Sequence, residues 1–512
     1  MKLVRAGAGL ALFAALNLAD RLAVHDRLGE VNVFGWARMT LDTALWLAVP
    51  VAVALLAGRF ARKLNAALFA AIAFFAAIQW YMRLNFDVIL TGNWIGIVLS
   101  SSLEEIATFL RSACDPVSIA LAASVLAATA AAVIIVRGVP AVRASRRSVL
   151  AGLLLLAAFG AVRFADIPHA LLGGGSVATL VTDTFRNRDS YRRLRDLAVR
   201  PVLPDGIRFT GRADAPPFVV FVIGESATRV RWSLYGYERE TTPEMAKLGD
   251  ELVRFDGLEG SAYNTADALK LLFTEATPDD LDAMDCSFSQ ILAAAGYRGV
   301  LVSNQVRWGE FGGVESFLFS GCVRQRYLKE EGEKCDAFDE ALLPRFEEEV
   351  ESAGEGPSIV FLHLMGSHSP CVMRYPAAFA KFIPEPIRNL HGAGNPLLVG
   401  NHYDNSILYT DSILGRIVAR LRTLERPTAM IYLSDHGESV ESDHWRKVSD
   451  PALWQLPFVC WFSPRFRAEY PDTVAAAEEL RSVPLRSAEL LPTLLTLCRV
   501  EVGEMVVGDG SW

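Results

Sequence analysis

Five long apolar runs crowd the first third of this 512-residue chain and limit what it can fold into. They cover residues 6–19, 41–58, 66–82, 116–136 and 148–162. A helix needs about 20 mostly apolar residues to cross a bilayer. The fourth run reaches that length alone, and the others reach it with their amphipathic flanks. Charge divides at the same place. Residues 1–165 carry 15 Lys+Arg against 8 Asp+Glu, or +7, and the remainder carries 35 against 50, or −15. This split excludes a disordered chain, a basic nucleic-acid binder and one homogeneous domain. The chain reads as an α-helical membrane domain of five transmembrane helices (1–165), an amphipathic linker (166–215) and an acidic domain outside the bilayer (216–512).

Basic residues set the topology. Lys2 and Arg5 precede the first run. Arg59, Arg62 and Lys63 separate the second from the third. Arg137, Arg143, Arg146 and Arg147 separate the fourth from the fifth. These segments read as cytoplasmic, so an odd number of spans delivers the rest to the far side, the periplasm of a Gram-negative inner membrane. The first run also fits a cleaved signal peptide, and its removal leaves this topology unchanged. Loop 84–115 mixes apolar residues with Glu104 and Glu105, which suits either a surface-lying amphipathic segment or a packed loop. The basic stretch 186–195 suits either a helix resting on anionic lipid or a solvated one. Pro201, Pro204, Gly206, Pro216 and Pro217 then mark a linker.

From Phe218 onward the pattern changes. Four short apolar runs end abruptly in polar residues: PFVVFVIGES, GVLVSNQ, SIVFLHLMGSH and AMIYLSDHGES. Helix-like stretches at 287–295, 338–351 and 411–424 lie between or beside them. Continuous apolarity alternating with helices predicts a parallel sheet covered on both faces. Active sites of such sheets lie beyond the carboxyl ends of the strands, where the polar residues fall.

The candidates there are Glu225, Thr265, His363, His368, Asp435, His436 and His444. Asp435 and His436 would face opposite sides inside a regular strand. At a strand end followed by Gly437 the chain can bend and aim both at one ion. Alone, the pair suits a strand cap. With Glu225 supplying a second carboxylate from another strand end, the set suits zinc, which takes N, O or S ligands. A hydroxyl at such a metal becomes a nucleophile near neutral pH. Thr265 reads as a helix start, where a plain N-cap and a phosphate-facing nucleophile are both consistent with the spacing.

These residues resemble a family. GESATRVRWSLYGYERETTPEM, HLMGSHSP, SDHGES and the C-D-x-x-D after Cys335 are similar to signatures of the phosphoethanolamine transferases. That family includes lipid A-modifying and mobile colistin-resistance enzymes. The resemblance implies five spans and an α/β periplasmic domain of alkaline phosphatase/sulfatase type. It implies Zn²⁺ held by Glu225, Thr265, Asp435 and His436. Thr265 would attack phosphatidylethanolamine, release diacylglycerol and pass phosphoethanolamine to a lipopolysaccharide or other envelope glycan. His368 and His444 would bind phosphate or a second zinc and help proton transfer. His363 and Asn304 would contact substrate. The resemblance also implies a Cys322–Cys335 disulfide, worth roughly 3 kcal/mol by chain entropy. Of the seven cysteines, Cys114 and Cys498 would be unpaired or buried.

Two features depart from the lipid A branch. The nucleophile segment SAYNTADALKLLF has no cysteine pair, which leaves Ser261 and Thr274 open beside Thr265. His444 follows His436 by only 8 residues. Both lean towards a lipopolysaccharide core, a periplasmic glucan or another glycan as acceptor. A membrane phosphoglycerol transferase and an inactive lipid-binding relative are the alternatives. No C/S-x-P-x-R motif of the formylglycine sulfatases precedes the candidate site.

Overall fold

The computed structural model describes residues 192–305, 314–330, 337–382, 396–440 and 450–503, with 506–507 and 510–511. N-terminal to these it describes 48–56, 145–164, Ser190 and scattered residues between 11 and 130. The chain forms two compact units, Met1–Leu99 with Leu103–Arg188, and Ser100–Ser102 with Asp189–Trp512.

In the first unit, α1 (Ala48–Leu56) falls in the second apolar run and α2 (Arg146–Phe164) covers the fifth. Ser145 caps α2 by accepting a bond from Ser148 N. The two helices touch at Gly152, where a Cβ would lie 2.6 Å from Leu56 Cγ. Leu150, Leu153 and Leu154 of α2 are more than half exposed. Among the described residues no helix is long and apolar enough to cross a membrane. The other three runs and loop 84–115 lie largely outside the described residues.

The second unit is built on a seven-stranded sheet. Its strands are β1 (Phe218–Gly224), β2 (Leu252–Phe255), β3 (Arg298–Ser303), β4 (Arg324–Tyr327), β5 (Ser358–His363), β6 (Thr428–Ser434) and β7 (Phe458–Phe462), in spatial order β2-β7-β6-β1-β5-β3-β4. The five strands from β6 to β4 are parallel, as their continuous apolarity predicts. The four runs read as parallel strands, now β1, β3, β5 and β6, are so; the sheet adds one reversal outside them. β7 runs antiparallel to both β6 and β2.

Alternate residues of β1 enter opposite cores, which is why the whole strand is apolar. Val219, Phe221 and Ile223 pack with α3 (Thr265–Phe273) and α4 (Phe288–Ala294). Phe218, Val220 and Val222 pack with α6 (Leu342–Glu351) and α7 (Pro396–Leu421). Between them in sequence, α5 (Val314–Leu318) is a single short turn. Phe221, Phe273, Phe288, Phe319 and Phe361 form one aromatic cluster beneath α3. Each such pair adds about 0.5–1.5 kcal/mol to burial, so the helix that begins with Thr265 is firmly seated at its far end.

Two expected helices stand close to their predicted bounds, while the one placed at 411–424 is the tail of the 26-residue α7. The stretch HYDNS towards its front lies outside the expected bounds but is buried within the helix. Basic residues of 192–195 lie on a helix whose Leu194 and Leu197 bury into the second unit's core. Cys322 is a free thiol, so the expected bond to Cys335 is not formed; Cys335 lies outside the described residues. Cys498 is free and buried, as anticipated, and Cys114 lies outside the described residues.

Candidate metal centre and active site

β1 and β6 are adjacent and in register, with Gly224 opposite Ser434. Each strand therefore delivers its next residue to the same place. Glu225, Asp435 and His436 converge there, all buried, with one donor atom from each within 4.8 Å of the others. His436 Nε2 lies 3.5 Å from Glu225 Oε1 and 3.4 Å from Asp435 Oδ2.

Backbone geometry makes this convergence. Gly437 lets the chain fold back after His436, where a Cβ would sit 2.4 Å from Ala452 O. His436 Nδ1 donates to Gly437 O at 2.8 Å, which leaves Nε2 with its lone pair towards the carboxylates. Asp435 Oδ1 accepts from His436 N at 2.7 Å and from Ser226 N at 3.0 Å. Its Oδ2 is buried without a hydrogen-bond partner. Burial pushes the Asp435 carboxyl above the ordinary range, against the pull of those two amides, the nearby Thr265 hydroxyl and His363. Two buried carboxylates, a neutral imidazole nitrogen and an orphaned acceptor fit a divalent cation.

Thr265 joins this centre. The helix cap is Asn264, whose side chain accepts from Asp267 N. Thr265 is the first residue of α3, and its hydroxyl is spent elsewhere: Oγ1 donates to Glu225 Oε2 at 3.0 Å. Of the other hydroxyls left open by the sequence, Ser261 accepts from Ala488 N and Thr274 donates to Lys270 O. Thr274 lies at the opposite end of α3.

The remaining candidates occupy different places. His363 ends β5, is buried and pairs through Nδ1 with Glu315 of α5 at 2.8 Å. Burial lowers its pKa, but Glu315, Glu225 and Asp435 together raise it above the ordinary value. His368 is half-buried, with Nδ1 bonded to Ser369 O at 2.8 Å. Its turn is held by Asp339, which accepts from Met365 N and Gly366 N. Asn304 is fully buried and engaged within the protein. Its amide donates to Ala337 O and Asp339 Oδ1 and accepts from Lys329. His444 lies outside the described residues.

Three contributors escaped the sequence reading. Ser226 adopts a left-handed backbone (φ 57°) and donates its hydroxyl to Glu225 Oε1 at 2.8 Å. A non-glycine residue held there is strained, and such strain gathers at functional sites. Gln305, the neighbour of Asn304, donates to Leu364 O at 2.7 Å and to Glu225 Oε2 at 3.4 Å. Glu315 holds His363. Their only local signals were adjacency to the GES and SNQ strand ends and, for Glu315, none.

A parallel sheet with an acid–acid–histidine cluster and a hydroxyl at one strand end defines a class. The chain belongs to the sulfatase family, whose profile matches residues 217–500. More particularly, it is 28% identical over 270 residues to the phosphoethanolamine transferase EptC of Escherichia coli O18:K1:H7, covering 50% of this chain and 47% of that one. It is 26% identical over 292 residues to the Kdo(2)-lipid A phosphoethanolamine 7''-transferase of Escherichia coli K12, covering 54% and 51%. The matches thus span about half the length of these curated relatives. Among solved structures, it resembles the C-terminal periplasmic domain of Escherichia coli EptC in complex with Zn at TM-score 0.51 and 27% identity, over 58% of this chain and 86% of that one. The integral membrane lipooligosaccharide phosphoethanolamine transferase A of Neisseria meningitidis shares the fold at TM-score 0.67 and 21% identity, over 96% of both chains.

Proposed function

We propose that this chain is a zinc-dependent phosphoethanolamine transferase of the inner membrane, with its catalytic domain in the periplasm. The observation that carries the reading is the Thr265 hydroxyl bonded to Glu225 within the buried Glu225–Asp435–His436 cluster. The names of the relatives and the zinc complex of one of them support it.

Glu225, Asp435 and His436 would hold Zn²⁺, with the Thr265 hydroxyl as a further ligand. The metal, when bound, supplies positive charge against the nucleophile and the phosphoryl group. The chain's own residues do the rest. Thr265 Oγ1 loses its proton along the bond to Glu225 and forms a bond to the phosphorus of phosphatidylethanolamine. The phosphorus–oxygen bond to diacylglycerol breaks, and that oxygen takes a proton from His368 or His444. A phosphoethanolamine-threonine remains. An acceptor hydroxyl then attacks the phosphorus and gives its proton to that histidine; the phosphorus–Oγ1 bond breaks, Oγ1 takes its proton back from Glu225, and the modified glycan leaves. The start of α3 directs its amides and positive dipole end at this anionic group.

Five N-terminal spans would carry the domain across the membrane. The exposed leucines of α2 suit a lipid environment. The acceptor is a lipopolysaccharide or another envelope glycan. The missing cysteine pair at Thr265 favours a core sugar or glucan over lipid A.

The test is mass spectrometry of lipid A, core and glucans from cells expressing wild type or Thr265→Ala. A phosphoethanolamine increment seen only with wild type is expected. An increment that persists in the variant sinks Thr265 as the nucleophile. No increment on any glycan, with folded protein present, sinks the transferase reading. Metal analysis of the full chain tests zinc separately, with Asp435→Ala expected to be empty.

A further inference from the structure

The side of α7 that carries residues 402–406 braces two of the turns that build the site. Tyr403, fully buried, donates its hydroxyl to Ser226 O at 2.7 Å and accepts from Thr228 N at 2.8 Å. Those two bonds bracket the left-handed Ser226. In that conformation, one residue serves both acids of the metal centre: its amide reaches Asp435 Oδ1 and its hydroxyl reaches Glu225 Oε1. One turn further along α7, Ser406 Oγ bonds Ser367 Oγ at 2.9 Å. Ser367 N in turn donates to Glu225 O at 2.9 Å. Gly366 packs so closely here that a Cβ would lie 2.8 Å from Glu225 O.

We propose that Tyr403 is a positioning residue of the metal centre, acting through Ser226 on both carboxylates while bonded to neither. This rests on the metal-centre reading above. The physical reason is that the left-handed turn is unfavourable for serine and persists only if its surroundings impose it. The hydroxyl of Tyr403 imposes it from both flanks. Without that hydroxyl, Ser226 O and Thr228 N are buried and lose a partner, and the turn relaxes towards ordinary backbone angles. Ser226 then releases Glu225 and Asp435, whose separation and orientation set the affinity for the ion. Residues that orient ligands from behind typically change metal affinity by about 10–100-fold when removed.

Tyr409 provides the control. It lies on the same helix, is equally buried, and its hydroxyl likewise accepts from one backbone amide, Glu340 N at 3.0 Å. Its hydroxyl bonds to neither turn of the site.

The experiment measures zinc affinity of the full chain in detergent by competition with a chromophoric chelator, for wild type, Tyr403→Phe and Tyr409→Phe. Melting curves of each metal-free protein are recorded alongside. Tyr403→Phe is expected to weaken zinc about 10-fold, and Tyr409→Phe to leave it unchanged at a comparable loss of melting temperature. Equal affinities in wild type and Tyr403→Phe overturn the inference. So does an equal weakening in both variants, which would mark general destabilisation. Wild type that binds no zinc overturns the metal-centre reading itself, an outcome read before either variant is compared.

Discussion

Two buried acids in the same domain are treated in opposite ways. Glu349 of α6 is fully buried and ringed by arginines: Arg298 and Arg324 at 2.9 Å, Arg326 at 3.6 Å. Asp435 is almost as deeply buried. Among the described residues its only ion-pair partner is His436, and its Oδ2 has no hydrogen-bond partner. Taking a carboxylate out of water is costly unless it is paired. At Glu349 the protein supplies the positive charge itself. At Asp435 the missing charge is the one a bound cation brings. Burial alone marks neither place as functional; the difference in compensation does.

The strongest way to test that contrast is at the nucleophile beside the uncompensated acid. Thr265→Ala removes the hydroxyl that the start of α3 donates to Glu225. It is expected to lower phosphoethanolamine transfer at least 10³-fold, or about 4 kcal/mol of barrier, while zinc content stays near that of wild type. Transfer within tenfold of wild type breaks the assignment.

The compensated acid predicts a stability effect with no link to metal. Glu349→Gln leaves three guanidinium groups facing a neutral amide. The guanidinium groups reach water and Arg326 also pairs with Glu348, so losing these charge-assisted hydrogen bonds costs about 1.5–3 kcal/mol, which denaturant unfolding of this domain should show. Zinc affinity is expected to be unchanged. A loss below about 1 kcal/mol would mean that the arginines are satisfied by water, two of them being partly exposed.

Much of this contrast was legible in the sequence, and part was not. GES and SDHGES end apolar runs, and adjacent parallel strands must bring such ends together. Glu225, Asp435 and His436 met for that reason. Thr265 was ambiguous because a helix start looks the same whether its hydroxyl caps the helix or not. Asn264 turned out to carry the cap. Hydrophobic periodicity reports which side chains avoid water, not which polar groups are paired across the fold. So His402–Ser406 fell outside the helix expected at 411–424, although Tyr403, Asp404 and Ser406 are buried with partners at distant sequence positions. Glu315 was invisible because its partner His363 lies 48 residues away. The antiparallel β7 was missed because an apolar run of five carries no direction.

Metal addition should separate the two acids next. Zinc binds the folded site and not the unfolded chain, so wild type at 100 times Kd gains about 2.7 kcal/mol. Glu349→Gln should gain the same amount from its lower baseline. Asp435→Asn should gain little. A melting temperature of wild type that ignores zinc would break the idea that the centre's charge is completed by a cation.

The smallest effect is also the most discriminating, because its sign is unusual. In the metal-free protein, Asp435→Asn is expected to stabilise, on the order of 1 kcal/mol, where Glu349→Gln destabilises. The asparagine carbonyl can still accept from Ser226 N and His436 N. Its amide fills the place of the orphaned Oδ2 with a donor directed at Glu225 and His436 Nε2. The pH dependence follows from the raised carboxyl of Asp435. Folded Asp435 binds its proton more tightly than unfolded Asp435, whose pKa is about 3.9. Its contribution is fully present below that value and is lost as pH rises through the raised folded value. Metal-free wild type should therefore weaken over that window relative to Asp435→Asn, which has no proton to lose there. With zinc at saturation the order reverses, since only wild type gains from the ion. Urea titrations at several pH values, with and without chelator, read all of this. A destabilising Asp435→Asn in the metal-free protein would show that the centre is compensated from within, as Glu349 is.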